Sequence, residues 1–139
     1  MRVLLDTNVV SEVRRSGPDS RVVQRVRDIR PGDTYLSVIT IGELVYGVKR
    51  LSTGKKRREL EAWLIALEQS HASRILAVDS ETTHVWGELT AACEAKGCLL
   101  SPQDGLIAAT ALRHGLHVMT RNVKDFACTG ALLINPWDD

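Results

Sequence analysis

The strongest constraint in this chain is the alternation of short, β-branched apolar runs with longer stretches of helical periodicity. Residues 2–5 (Arg-Val-Leu-Leu) form the first run and end at Asp6-Thr7-Asn8, the pattern of a buried strand stopped by polar residues. A short helix through Val9, Val10 and Val13 follows, and Ser16-Gly17-Pro18-Asp19 breaks it. Val22, Val23, Val26 and Ile29 share one face of the next helix, which Pro31-Gly32 stops. Thr34 to Ile39 reads as a second strand, and Thr40-Ile41-Gly42-Glu43 then opens a helix with a capping-box signature. Beyond the breaker Ser52-Thr53-Gly54, the stripe Leu60, Trp63, Leu64 and Leu67 has helical spacing. Ile75 to Val78 is a third strand, and Ser80 caps a long helix carrying Val85, Trp86, Leu89 and Cys93 that Gly97 ends. Ser101 at N-cap and Pro102 at the first helical position start another helix. Its apolar face is Ile107, Ala108, Ala111 and Leu112, and Gly115 closes it. His117 to Thr120 and Leu132 to Ile134 are the fourth and fifth strands, ahead of Asn135-Pro136-Trp137. Strands alternating with helices pair in parallel and carry helices on both sheet faces. The expected fold is α/β, one domain over residues 1–139, without repeat or linker.

The bulk properties agree. A length of 139 residues suits one core and is short for two. With 44% hydrophobic and 25% charged residues, the chain matches an ordinary globular protein. No apolar run approaches the ~20 residues that span a bilayer, and the first apolar stretch is interrupted by Asp6, unlike a signal peptide. A cytoplasmic location without a membrane partner is expected. Cys93, Cys98 and Cys128 contain no Cys-x-x-Cys pair, and an odd count favours reduced thiols acting as small buried hydrophobes. The net charge of +1 is uneven: residues 1–60 hold 13 Lys/Arg against 7 Asp/Glu, whereas residues 61–139 hold 5 against 10. Such asymmetry fits an anionic partner.

The carboxylates carry the chemistry. In open α/β sheets, ligands bind beyond the carboxyl ends of the strands, where strand order reverses. Asp6 falls just past the first strand. Glu43 lies about one turn into the helix after the second, and Asp104 about one turn into the helix opening at Ser101. Asn122 follows the fourth strand, with Asp125 three residues later. Taken singly, each acid has a structural reading: Asp6 as an N-cap, Glu43 as the N3 partner of a capping box, Asp104 as a favourable charge at a helix start. Together at one rim they repel one another unless a cation is present. Oxygen ligands without a Cys/His cluster select Mg²⁺ or Mn²⁺ over Zn²⁺. Asp6, Glu43 and Asp104 are therefore expected to hold a divalent ion used to cut a phosphodiester bond. Gly42, Gly47 and Gly105 beside them allow close approach of substrate or close packing of helices.

Asp6-Thr7-Asn8, Ile41-Gly42-Glu43-Leu44 with Tyr46-Gly47, Asp104-Gly105-Leu106-Ile107-Ala108-Ala109, Thr120-Arg121-Asn122 with Asp125-Phe126, and the closing Ile134-Asn135-Pro136-Trp137 resemble the PIN-domain nucleases. More narrowly, the chain resembles the VapC toxins of type II toxin–antitoxin modules, including their FitB-like branch. The resemblance covers nearly the whole chain. It implies a three-layer α/β/α sandwich that hydrolyses RNA with Mg²⁺, for which Mn²⁺ substitutes, using Asp6, Glu43 and Asp104 as acidic ligands. Thr7 and Thr120 would orient ligands or a water, and Asn8 completes the first motif. The fourth acidic position falls on Asn122, whose amide accepts contacts but brings no charge. One tightly held metal is then expected rather than two, with Asp125 as a partial substitute. The resemblance also implies a homodimer, assembled further with an antitoxin whose C-terminal segment blocks the active-site groove.

Lys49-Arg50 and Lys55-Lys56-Arg57-Arg58 form the densest positive run, read as a phosphate-tracking surface for RNA or as a solvated face. The stripe Leu60, Trp63, Leu64 and Leu67 reads as core or as interface. His71, His84, His114 and His117 are scattered and receive no catalytic role. Two other readings stand beside the nuclease. One is a PIN-like module that binds RNA or protein with weak or no catalysis, for which Asn122 speaks. The other is an aspartyl phosphatase, against which Asn8 speaks because that chemistry needs a second Asp two positions after the first.

Overall fold

The computed structural model describes residues 1–138. Five parallel strands, β1 (Val3–Leu5), β2 (Thr34–Ser37), β3 (Ile75–Leu76), β4 (His117–Met119) and β5 (Leu133–Ile134), form one sheet in the order β3-β2-β1-β4-β5. The helices are α1 (Thr7–Arg14), α2 (Ser20–Arg27), α3 (Val38–Lys49), α4 (Lys55–Ser70), α5 (Ser80–Ala95), α6 (Pro102–His114) and the short α7 (Val123–Phe126).

Side-chain alternation along the strands divides the core into two layers. Val3, Leu5, Leu36 and Met119 face Val9, Val10, Val22, Leu44, Val48 and Leu64, which come from α1 to α4. Leu4 and Val118 face Leu89, Cys93, Ile107, Ala108, Ala111 and Phe126, which come from α5 to α7. The expected three-layer α/β/α sandwich is thus the observed one. Leu64 of the α4 stripe is buried, while Leu60, Trp63 and Leu67 pack half-buried against the first layer.

The order of the strands creates the site. From β1 the chain steps outward to β2 and β3, then crosses back to β4 and β5 on the other side of β1. Strand order therefore reverses between β1 and β4, and the crevice beyond their carboxyl ends receives Asp6 and Thr120.

Several boundaries differ from the sequence expectation. The second strand ends at Ser37 rather than Ile39, and Ser37, not Thr40, caps the following helix by accepting a hydrogen bond from the Ile39 amide at 3.0 Å. The ladder supplies the reason. Ser37 pairs with Leu76, the last residue of β3, so beyond it the backbone has no strand partner and turns helical. The third strand likewise ends at Leu76 rather than Val78. Asp79 replaces Ser80 as the cap of α5, because its carboxylate reaches both the amide (3.0 Å) and the hydroxyl (2.8 Å) of Thr82. The α6 boundaries agree: Ser101 accepts from the Asp104 amide at 3.1 Å, and Gly115 ends the helix at φ +66°.

The cysteines do not all remain thiols. Cys98 and Cys128 form a disulfide, and only Cys93 is free among the described residues. No local spacing signals a bond across 30 residues; it arises because the end of α5 and the turn after α7 meet on the same face of the sheet.

Candidate active site

Asp6 is 5% exposed at the end of β1, where its backbone amide donates to the Met119 carbonyl at 2.9 Å and ties the residue to β4. It caps α1: Oδ1 accepts from the Thr7 amide at 2.9 Å. Oδ2 accepts from the Thr120 hydroxyl at 2.8 Å and from the Asn8 side-chain Nδ2 at 3.4 Å. Burial pushes its pKa above the ordinary aspartate value. The hydrogen bonds from Thr120 and Thr7 work against that rise, and the charges of Glu43 and Asp125 add to it. A capping carboxylate with little exposure and two acidic neighbours is more than a helix start requires.

Glu43 is brought in by α3. It lies more than one turn inside this helix, so it does not belong to a capping box. Its Oε1 instead accepts the Thr7 hydroxyl at 2.6 Å, and Thr7 also lies 3.4 Å from the buried Thr40 hydroxyl. The start of α1 and the middle of α3 are thereby locked together. Asp104 stands half-buried at the third position of α6. Burial again raises its pKa, followed by the charge of Asp6; Ser101 opposes the rise and Asp125 adds to it.

Thr120 organises the remaining edge. Besides donating to Asp6, its oxygen accepts the Asn122 backbone amide at 3.0 Å, and the Asn8 side-chain Nδ2 lies 3.4 Å away. Asn8 Oδ1 accepts the Arg121 amide at 3.3 Å, so Asn8 ties α1 to the turn after β4. Asn122 and Asp125 are exposed at the start and within α7.

Asp6, Glu43, Asp104 and Asp125 thus share one rim and one electrostatic field. Among the described residues, none of the four forms an ion pair with Lys or Arg, whereas Glu12, Asp19, Asp33, Glu59, Glu61, Asp79 and Glu81 all do. Nor do any three Asp, Glu, His or Cys side chains close into a metal cage among the described residues. The rim is an open set of oxygen donors. That suits Mg²⁺ or Mn²⁺, which bind through one or two carboxylates and retain waters.

Two clefts flank Glu43. One, of about 640 Å³, runs along α3 past Ile39, Gly42, Tyr46 and Arg50 to Gln103. The other, of about 270 Å³, holds Thr7, Ser11, Arg14, Gly47 and Lys56. The basic run is partly neutralised: Lys49 and Arg57 pair with Glu61, and Lys55 lies 3.9 Å from Glu59. Arg50 stacks 5.1 Å from the Tyr46 ring, and among the described residues Lys56 and Arg58 have no ion pair. The three glycines near the acids differ. A Cβ on Gly42 or Gly47 would meet nothing within 4 Å, but on Gly105 it would meet Trp86 Nε1 at 2.9 Å. Gly105 therefore serves helix packing. His71 is held by Ser70, the Leu67 carbonyl and Thr34, away from the rim.

The PIN domain family matches residues 3–130. The chain belongs to the PIN-domain family. Its relatives include the toxin FitB of Neisseria gonorrhoeae, 39% identical over 99% of both chains, and the VapC ribonuclease Y4jK of Sinorhizobium fredii, 34% identical over 98% of both. Among solved structures, the FitAcB crystal structure from Neisseria gonorrhoeae superposes with a TM-score of 0.95 at 37% identity, covering 99% of each chain. FitAB bound to an IR36 DNA fragment superposes equally well at 35% identity, over 99% of this chain and 96% of the other.

Two parts of this PIN-domain rim escaped the sequence reading. The spacing of Thr40 predicts a cap, but the residue is a buried hydroxyl beside Thr7; its spacing of three from Glu43, one helical face, is the signal for that role. Trp86, read only as an apolar helix residue, packs against Gly105 next to Asp104, a long-range contact with no sequence signal.

Proposed function

We propose that the chain is a metal-dependent endoribonuclease and the toxin of a type II toxin–antitoxin module. The observation that carries this reading is the unpaired carboxylate rim at the switch point, where burial and mutual repulsion raise the pKa values of Asp6 and Asp104. Such a rim costs stability unless a cation joins it. The FitB and VapC names of the relatives supply the toxin and ribonuclease context.

Asp6 and Asp104 would hold Mg²⁺, with Mn²⁺ able to replace it. When bound there, the ion would supply a polarised water and offset the charge developing on the phosphate. The Thr7 backbone amide holds Asp6 Oδ1, while the Thr120 hydroxyl and the Asn8 side-chain amide hold Oδ2, which orients Asp6 and leaves a further lone pair on Oδ1 for a ligand. Thr7 fixes Glu43 through Oε1, while Oε2 has no hydrogen bond among the described residues and is free to share the ion or take a proton from the attacking water. Asn122 brings no charge, so one metal is favoured over two, and Asp125 supplies the remaining negative charge.

Lys56 and Arg50, which line the two clefts beside Glu43, would lead the RNA backbone to the acids. An apolar cleft of about 430 Å³ between α1, α2 and α4, lined by Val10, Val13, Val26, Trp63 and Leu67, suits an antitoxin helix. Arg14 lines both this cleft and the one containing Glu43, so the two adjoin at that side chain. On α3, Val38, Val45 and Tyr46 are 39%, 38% and 65% exposed beside Gly42, a stripe suited to pairing with a second copy.

The test is to sequence RNA ends after brief expression of wild-type and Asp6→Asn protein, and to repeat the cleavage with purified protein with and without Mn²⁺. Metal-dependent cuts at a few discrete sites, absent from the variant, are expected. Full cleavage by Asp6→Asn would refute the assignment.

A further inference from the structure

All three cysteines of the chain meet on the α5–α7 side of the sheet. α5 ends in a turn where the Cys98 amide donates to the Cys93 carbonyl at 2.9 Å, and Gly97 takes φ +77° to make that return possible. Cys128 lies in a turn held by the Thr129 hydroxyl, which donates to the Phe126 carbonyl at 2.7 Å and accepts from the Ala131 amide at 3.2 Å. Gly130 closes that turn at φ +80°. Two independently built turns therefore present Cys98 and Cys128 to each other, and they are bonded. Both are half-buried and within reach of small solutes, whereas Cys93 is 1% exposed and donates its thiol to the Cys128 carbonyl at 3.3 Å.

The bond joins two segments of the rim. Cys98 lies three residues before Ser101, whose hydroxyl caps α6 and holds the Asp104 amide. Cys128 lies three residues after Asp125, in the turn that follows α7, and Asn122 at the N-cap of α7 is anchored through Thr120 to Asp6. Asp104 and Asp125 sit on separate elements, and the disulfide is the one covalent link between these elements outside the main chain among the described residues.

The geometry points to a thiol–disulfide switch in which the Cys98–Cys128 bond holds the Asp104 and Asp125 segments in register, and its reduction releases them and weakens the metal site. The coupling to metal rests on the nuclease reading above. The chemistry balances with a low-molecular-weight disulfide as oxidant. One cysteine thiolate attacks that disulfide, forming a mixed disulfide and expelling one small thiol. The second cysteine then attacks the protein sulfur, closing the Cys98–Cys128 bond and expelling the other. Two electrons pass from the cysteine pair to the small disulfide, and both thiol protons end on the released thiols. Reduction by excess small thiol runs the same steps backward.

The experiment poises the full chain in glutathione buffers of graded potential and traps thiols with a maleimide for mass measurement. In parallel, amide exchange is followed over residues 96–104 and 122–131, and Mn²⁺ binding is measured by calorimetry. Reversible loss of two thiols is expected, with exchange in both segments faster after reduction. Mn²⁺ affinity should fall about tenfold, the scale on which lost support weakens a metal site. Cys98→Ser should match the reduced protein and ignore the buffer, and Cys93→Ser should keep the response. Failure of the bond to form in oxidised glutathione, or identical exchange and Mn²⁺ affinity in both states, overturns the switch. If Mn²⁺ affinity ignores the buffer while Asp6→Asn abolishes cleavage, the switch falls and the nuclease stands. If Mn²⁺ binding follows the buffer but no RNA is cut, the nuclease reading falls alone.

Discussion

Replacing Gly105 with alanine sets two effects against each other in the first turn of α6. Alanine is the better helix residue by up to ~1 kcal/mol. Its Cβ, however, would lie 2.9 Å from Trp86 Nε1, 3.0 Å from Trp86 Cδ1 and 3.3 Å from Leu100 Cδ2. Trp86 is a rigid ring between α5 and α6, so the helices must part or the indole must leave its rotamer. Overpacking of this kind costs ~1–3 kcal/mol, and two contacts at or below 3.0 Å place this case in the upper part of that range. The net effect is a loss of ~1–2 kcal/mol, or a Tm about 3–8 °C lower for a domain of this size. Trp86→Phe tests the cause, because it removes the crowding edge together with an indole N–H that is buried without a partner among the described residues. Urea unfolding of both single variants and the double variant should show coupling of ~1 kcal/mol or more, with alanine better tolerated beside phenylalanine. A Gly105→Ala protein as stable as wild type, or additive effects in the double variant, would show that helix propensity outweighs the contact.

Other expectations follow from the same rim. Asp104 has a pKa raised in the folded state, so ionising it costs stability as pH rises from the ordinary aspartate value through the raised one. Metal-free Asp104→Asn protein should therefore melt with wild type at pH 3 and above it at pH 7; a gap that does not change with pH would contradict this. Adding Mn²⁺ at about a hundred times its Kd should stabilise wild type by ~2.7 kcal/mol and leave the Asp6→Asn melting curve unmoved. Thr120→Val removes the 2.8 Å bond to Asp6 and the acceptor of the Asn122 amide, and should cost ~2–3 kcal/mol in urea unfolding at neutral pH. A cost below ~0.5 kcal/mol would mean that Thr120 does not organise the rim. Neutralising Lys56 and Arg58, which have no ion pair among the described residues, should flatten the salt dependence of RNA binding, measured by titration. Neutralising Lys49, already 2.7 Å from Glu61, should flatten it less; equal effects would argue against this division.

The architecture was legible because it depends on periodicity. The run Val3-Leu4-Leu5 and the valines of α1 and α2 fall where a buried strand and its covering helices need them. The start of α6 was legible because Ser101 and Pro102 act locally, through a side-chain cap and a fixed φ. The start of α3 was not. Thr40 and Glu43 have the spacing of a capping box, but Ser37 captures the cap as soon as the β2 ladder runs out opposite Leu76. Glu43 became available to Thr7 for that reason.

Local sequence alone determined the alternation of strands with helices and the start of α6, and so sent Asp6, Glu43, Asp104 and Asn122 toward one rim. These are short-range consequences of side-chain polarity, caps and breakers. Only the tertiary structure decided what those residues touch. Thr120 reaches Asp6 across 114 positions, Trp86 closes on Gly105, and Cys98 bonds Cys128 across 30. The reason is that side chains on different elements meet through strand order and helix packing, and those depend on burying the whole core rather than on any single spacing.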